Sequence, residues 1–320
     1  AMHASVMRKS DLNLHRLAEV THIAMRRTGL RAEDVTEAET RARISGRVAG
    51  HCHDRVVLAE DGGALVGWLA FYEMAGLPTA QIWNWHPDVL PGENENEIAE
   101  ALIQEALAYL RELGMRQVAI DFRVTESTRS GLARHLGWYA QAGITSTVEE
   151  TFYRKDLAKE HLEVNIPEGY SVRHLSEAAL ESLFSCWLGV FSSSDDELFL
   201  SLDAAGRRDL FFDSWSREKP RIDGASLTLH HGGRLIGFSR VLPMYESTEG
   251  YLAPIGMIPE YRRRGLAREL LKLSMLRLQE LGYQTVSCYV STSNAAAVSF
   301  YENLGFASKH KITSLFGETG

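Results

Sequence analysis

Cysteine is scarce in this chain of 320 residues: there are three, Cys52, Cys186 and Cys288, far apart and without paired spacing. That argues against a disulfide framework and suits a reducing, cytoplasmic setting. No stretch approaches the roughly 18 consecutive apolar residues that a membrane-spanning helix needs, so no membrane association is expected. The opening Ala1-Met2-His3-Ala4 has no apolar signal region, and an Ala ahead of Met has the look of an expression remnant. Positive charge is in deficit, with 34 Lys+Arg against 42 Asp+Glu and a formal net charge of −8. Nucleic-acid binding draws its affinity from cationic surface, so nucleic acid is not an expected partner, and any anionic ligand must find its charge locally.

What is present is ordinary for a globular protein: 45% hydrophobic and 24% charged residues, with a mean hydropathy of −0.18. The length predicts two domains of about 150 residues each. Self-similarity supports that division. Asp61-Gly62-Gly63-Ala64-Leu65-Val66-Gly67-Trp68 matches His231-Gly232-Gly233-Arg234-Leu235-Ile236-Gly237-Phe238 at a displacement of 170 residues. Leu110-Arg111-Glu112-Leu113-Gly114 matches Leu278-Gln279-Glu280-Leu281-Gly282, and Leu136-Gly137-Trp138 matches Leu304-Gly305-Phe306, both displaced by 168. Agreement in order and spacing at three places is the mark of a duplicated unit. The expected domains are 1–157 and 168–320, divided in the polar stretch Lys155 to Gly169.

Each copy reads as helices, a hairpin, a further strand, an amphipathic helix, a strand and a short helix. Val56 to Ala59 with Leu65 to Phe71, and Ser226 to His230 with Leu235 to Val241, are the two hairpins, each around a Gly-Gly turn. Ala267 to Leu281 places Leu270, Leu271, Met275 and Leu278 on one stripe of a helix that Gly282 stops, and Thr285 to Val290 follows as a strand. The fold class is therefore α/β (α+β), used twice: a mixed, mostly antiparallel sheet flanked by helices.

The second copy alone carries an anion loop. A strand ending near Pro259 leads through Glu260-Tyr261-Arg262-Arg263-Arg264-Gly265-Leu266-Ala267 straight into the helix. Such a start offers unpaired backbone N–H groups and the positive end of the helix dipole, and Arg262, Arg263, Arg264 and Arg268 supply the local charge that the acidic chain otherwise lacks.

Arg262-x-x-Gly265-x-Ala267 after a strand resembles the acyl-CoA pyrophosphate loop of the GNAT superfamily of N-acetyltransferases, whose pattern is Gln/Arg-x-x-Gly-x-Gly/Ala. Downstream, Asn294-Ala295-Ala296-Ala297-Val298-Ser299-Phe300-Tyr301-Glu302-Asn303-Leu304-Gly305-Phe306 resembles that family's closing motif of Asn, Ala, Tyr and Gly-Phe. The likeness is sharp over roughly 226–306 and weak over 55–140. One departure is Arg263, where many members carry Gly. The corresponding stretch of the first copy, Leu90 to Glu95, has acids in place of the arginines, so Glu93, Glu95 and Glu97 would repel a pyrophosphate and the first copy is expected to have lost cofactor binding.

The resemblance implies a tandem N-acetyltransferase that uses acetyl-CoA as co-substrate and acts on a primary amine of a small molecule, as a monomer or homodimer. It assigns the pyrophosphate to the amides of Arg262, Arg263, Arg264, Gly265, Leu266 and Ala267 with Arg268 near, and the pantetheine arm to the strand ending at Met257-Ile258 and to Asn294. It assigns polarisation of the thioester carbonyl to the Met257 N–H. Tyr301 is the implied general acid, because a phenol of ordinary pKa about 10 stays protonated at neutral pH and can donate to a departing thiolate. Tyr251 stands where some members place a basic Glu, so Glu249, two residues earlier on the same strand face, is the candidate base acting through water, with Glu246 a weaker substitute. Phe191, Asp195 and Trp215 are candidate acceptor contacts by the same analogy. His51-Cys52-His53 has the residue types of a zinc site but no further clustered ligands, and no metal is expected. Enzymes similar to mycothiol synthase, antibiotic-modifying acyltransferases, and a non-catalytic acyl-CoA-binding or dimerisation module are the alternatives left open.

Overall fold

The computed structural model describes residues 2–30, 35–74, 77–158, 160–194, 196–244 and 248–320. The chain divides into two compact units, one of residues 1–150 with 310–320 and the other of residues 151–309. Among the described residues no helix is long and apolar enough to cross a membrane.

The first unit runs β1 (His3–Arg8), α1 (Leu14–Thr28), α2 (Glu37–Gly50), β2 (Arg55–Asp61), β3 (Ala64–Leu69), β4 (Phe71–Glu73), β5 (Thr79–Ile82), β6 (Asp88–Val89), α3 (Glu95–Glu112), β7 (Gln117–Val124) and α4 (Arg129–Gln141). Strands β1, β2, β3 and β6 pair in that order, all antiparallel. Strand β5 joins β4 antiparallel and β7 parallel. Helix α3 buries Ile98, Leu102, Ala106 and Leu110, residues four apart that form one apolar stripe against the sheet.

Strand β8 (Ser146–Asp156) follows, and from Thr151 it belongs to the second unit. That unit continues with β9 (Tyr170–His174), α5 (Leu180–Phe191), α6 (Glu197–Ser201), α7 (Ala204–Ser214), β10 (Leu227–His231), β11 (Arg234–Pro243), β12 (Glu249–Met257), α8 (Leu266–Glu280), β13 (Thr285–Ser291) and α9 (Ala295–Asn303), before β14 (Ala307–Glu318) closes the chain. Its strand order is β8-β13-β12-β11-β10-β9. Neighbours from β9 to β12 run antiparallel, while β12 and β13 run parallel. Helix α8 buries Leu270, Leu271, Met275 and Leu278, the stripe expected from their spacing.

The two hairpins are alike beyond their Gly-Gly turns. Each breaks register at one place, between Ala59 and Glu60 in the first and between Leu229 and His230 in the second. Those positions are 170 residues apart, the displacement of the repeated octapeptide. A bulge bends a strand and sets its twist, so a bulge at the matched residue points to common descent of the units more firmly than the residue identities do.

The last strand departs from the expected division. Residues 311–318 pair antiparallel with β7, from Lys311↔Val124 to Glu318↔Gln117, so the end of the chain completes the first unit rather than the second. Reciprocally, Phe152, Tyr153 and Leu157 are buried, and Tyr153 and Leu157 join the second unit's core around Leu271 and Val286. Repeats locate the copies, but strand order depends on which free edge each strand meets, and edges are not written in the repeat.

Candidate active site

The second unit's site grows from the end of β12. Ile258 N–H donates to Ile236 O at 2.9 Å, so the neighbouring pair Gly237↔Met257 is the kind that exchanges no ladder bonds. The Met257 N–H therefore turns away from β11, toward the side on which β13 lies. There the parallel ladder runs through Glu249↔Thr285, Gly250↔Val286 and Tyr251↔Ser287, and β12 continues beyond it to Met257. Two strands paired over their first residues only leave a gap between their later ones.

Past Ile258 the chain makes one 3-10 turn, Pro259–Tyr261, and an extended Arg262. Arg263 takes φ +59 and Gly265 φ +77 before α8 begins. A left-handed conformation costs a residue with a Cβ about 1 kcal/mol or more and glycine nothing, which is the physical content of the departure at Arg263. The first bond of α8 is Glu269 N–H to Gly265 O, and no side chain caps the helix. The amides of Leu266, Ala267 and Arg268 thus precede the helical ladder and present the positive end of the dipole.

The four arginines divide in role. Arg262 is spent inward: Nε donates to Met257 O at 2.9 Å, and its amino groups to Ser193 Oγ at 2.9 Å and Val190 O at 2.8 Å. It fixes the loop against the end of α5 rather than offering charge outward. Arg264 donates to Glu260 O at 2.8 Å and lies over the Tyr261 ring. Arg263 and Arg268 are exposed. Ile258 and Leu266 are buried, anchoring the two ends of the loop.

Tyr301 lies on α9, 8% exposed, between Phe300 and Phe306. Its hydroxyl donates to the Cys288 sulfur, and burial, with Cys288 and Tyr251 beside it, drives its pKa well above that of a free phenol. Burial likewise pushes the Cys288 thiol up to about 12, against the opposing effect of the Tyr301 hydrogen bond. Both groups are neutral, and Tyr301 holds a proton it can give. The sequence did not single out Cys288, although the alternation of β13 places it with Val286 and Val290 on the core side. Asn294 caps α9 through its side-chain oxygen, which accepts from Ala297 N–H at 3.0 Å, and its amide hydrogens remain donors.

Other expected residues are not brought together with these. Glu249 pairs with Arg154 at 2.8 Å and takes a long contact from Thr285 Oγ1. It sits at the paired start of β12, eight residues or about 26 Å along an extended strand from Met257. Trp215 is a core residue, 3% exposed, stacked on Phe211 and edge-on to Phe238. Phe191 packs against Trp187 and Phe199. Asp195 and Glu246 lie outside the described residues. His51, Cys52 and His53 precede β2: His51 O accepts the Trp83 indole N–H, and the His53 ring stacks on Phe71.

The first unit's counterpart is filled. Glu95, the first residue of α3 and 8% exposed, turns inward to Arg27 at 2.6 Å and Arg134 at 3.4 Å. No side chain caps α3, and the carboxylate of its first residue is neutralised by two arginines of the chain itself, which the repulsion expected from its charge did not foresee. Beside it Trp85, Phe122 and His135 meet edge to face, and Trp138 lies tilted against His135. The cavity that Trp85, His135 and Trp138 line with Arg27 and Glu95 is about 10 Å³, room for a single water.

Residues 179–306, most of the second unit, match the acetyltransferase (GNAT) family model. The chain is 28% identical over 286 residues to the mycothiol acetyltransferase of Geodermatophilus obscurus, covering 84% of this chain and 83% of that protein. The mycothiol acetyltransferases of Propionibacterium freudenreichii, Pseudarthrobacter chlorophenolicus and Thermobispora bispora match over only 43% to 45% of their length, so the chain spans under half of those three relatives. Among solved structures, a GCN5-related N-acetyltransferase from Sphaerobacter thermophilus superposes with a TM-score of 0.63 at 15% identity, over 99% of this chain and 96% of that one. A tandem GNAT protein from the clavulanic acid biosynthesis pathway superposes at 0.58 and 18% identity, over 100% and 99%. These last two likenesses concern the fold alone.

Proposed function

We propose that the chain is an acyl-CoA-dependent N-acetyltransferase whose second unit transfers an acetyl group from acetyl-CoA directly to a primary amine of a small molecule. The observation that carries this reading is the uncapped start of α8, entered through a left-handed Gly265 and set beside a strand gap into which Met257 turns its N–H. Backbone amides there would hold a pyrophosphate, with Arg263 and Arg268 adding charge at the rim. The Met257 N–H would polarise the thioester carbonyl, and the Asn294 amide would bind the pantetheine arm. The buried, protonated Tyr301 would return a proton to the leaving thiolate.

Glu249 has a structural partner in Arg154 and is set far from Met257, so the base role is not part of this proposal. The amine must arrive neutral or lose its proton to water. The first unit, with the acids Glu93, Glu95 and Glu97 where the second carries its arginines, is proposed to bind no acyl-CoA. The relatives named mycothiol acetyltransferase support a small-molecule acceptor. Thiol release from acetyl-CoA over a panel of amines tests the reading, with Tyr301→Phe as the control. Binding of acetyl-CoA without release by any amine would favour an acyl-CoA-binding module in its place.

A further inference from the structure

The face of the second unit's sheet turned toward α7 holds a cation without an anion. Arg240 is 9% exposed. Its Nε donates to Ala253 O, one amino group donates to Ser214 O at 2.8 Å, and the guanidinium lies 4.4 Å over the Trp215 ring. The charged or ionisable groups that act on it are Arg221 and Tyr251, and burial pulls its pKa down to about 10. Arg221 is already paired with Asp223 at 2.6 Å. Among the described residues no carboxylate forms an ion pair with Arg240. Ser214 ends α7, but a helix C-terminus offers only about half a negative charge, and two of the five guanidinium donors are used by the two main-chain oxygens. A buried cation left so is costly unless something completes it.

A second observation falls on the same face. Val286, Cys288 and Val290 face the core under α8 and α9, so Ser287 points to the opposite face by strand alternation. Its hydroxyl is fully buried and has no hydrogen-bond partner, which leaves a desolvated polar group uncompensated. Ser287 is the register partner of Tyr251 at the last rung before β12 and β13 part, and the Tyr251 ring lies 5.9 Å from that of Tyr289. Arg240 reaches that face as well, since Phe238, two residues earlier, meets Trp215 there while Ser239 bonds Ser274 of α8 behind. Tyr251 acts electrostatically on both Arg240 and Tyr301.

We infer that the acceptor is an amine bearing an anionic group, a carboxylate or a phosphate monoester, which Arg240 binds while the Ser287 hydroxyl takes a further polar group of the same molecule and Tyr251 and Tyr289 wall it. This rests on the acetyltransferase reading above and adds the acceptor's charge to it. An amine held by its anion at Arg240 would have its nitrogen directed along Tyr251 toward the gap between β12 and β13.

The test uses the whole chain and matched acceptors: an amino acid against its amide, and an aminoalkyl phosphate against the amino alcohol. The expected result is a kcat/KM at least tenfold higher for the charged member of one pair, and the pair preferred distinguishes carboxylate from phosphate. Ser287→Ala should raise the acceptor KM several-fold while leaving the thermal midpoint unchanged or higher, because it deletes an unsatisfied hydroxyl. Arg240→Lys should reduce the charge preference. Since Arg240 also ties β12 to α7, binding is read independently in the unaltered chain as quenching of Trp215 fluorescence by the charged amine without acetyl-CoA, with Trp215→Phe as the blank. Equal or better use of the neutral members overturns the inference and leaves the acetyltransferase reading standing, as does the absence of any quenching. Quenching by charged amines with no thiol release from any acceptor overturns the acetyltransferase reading and leaves the anion site.

Discussion

Tyr301 shows how burial suits one residue to one task. A phenol whose pKa is raised keeps its proton in alkaline solution, so it is lost as an acid only once the pH passes that raised value. The rate of acetyl transfer should therefore stay level or rise to about pH 10 as the amine deprotonates, with no fall on the alkaline side below that pH. Tyr301→Phe should lower kcat about 100-fold while the KM for acetyl-CoA changes by less than about threefold, measured by thiol release. An unchanged kcat removes Tyr301 from the chemistry. His86 in the first unit carries the opposite shift: it is buried beside Arg47 and His135, and burial holds its pKa well below the ordinary 6.5. A base with a depressed folded-state pKa stabilises the fold fully above its unfolded value and progressively less below it. The urea midpoint of the first unit should accordingly drop as the pH falls from 7.5 to 5.5. A midpoint independent of pH over that window would contradict the shift.

At the scale of elements, the two helix starts make a comparison that the chain performs on itself. Among the described residues no side chain caps either α8 or α3, and the difference lies in charge: α3 begins with Glu95, held by Arg27 and Arg134, where α8 follows an arginine run. If backbone amides rather than arginine side chains hold the pyrophosphate, Gly265→Ala should raise the KM for acetyl-CoA about tenfold, since Ala at φ +77 costs roughly 1–2 kcal/mol. Arg263→Gly should change it by less than about threefold, because glycine keeps the same backbone path at φ +59. The reverse order would hand the role to side-chain charge. Much of this was legible beforehand: the strand, the turn, Gly265 and the helix follow from local spacing, as do the hairpins and the stripe of α8. What local spacing did not hold is where long side chains go. Arg262 turning inward depends on Val190 and Ser193, some 70 residues away, and the buried pairing of Glu95 depends on Arg27, 68 residues away. Glu249 read as a free carboxylate because nothing local announces Arg154.

The whole molecule adds a constraint that neither copy reveals alone. Residues 311–318 supply eight rungs to β7, with Leu315 buried, Ser314 Oγ donating to Asp121 at 2.6 Å and Arg111 donating to Thr319 O at 2.6 Å. Residues 1–157 by themselves would leave β7 with an open edge of apolar, β-prone sequence, a template for aggregation. Residues 168–320 would lack Tyr153 and Leu157, both buried against the core of the second unit. Cut at the boundary that the repeat suggests, each copy should therefore be insoluble or lack a cooperative thermal transition. The remedy follows from the same contacts. Glu149 and Lys311 form an ion pair at 2.9 Å, so the ends to be joined are adjacent and a flexible linker of about six residues can connect Glu150 to His310. That fusion should unfold cooperatively, and 151–309 should do so alone. Calorimetry of the four pieces decides the matter: cooperative unfolding of 1–157 equal to that of the fusion would show that the terminal strand is dispensable, and would return the boundary to the place the repeat first gave it.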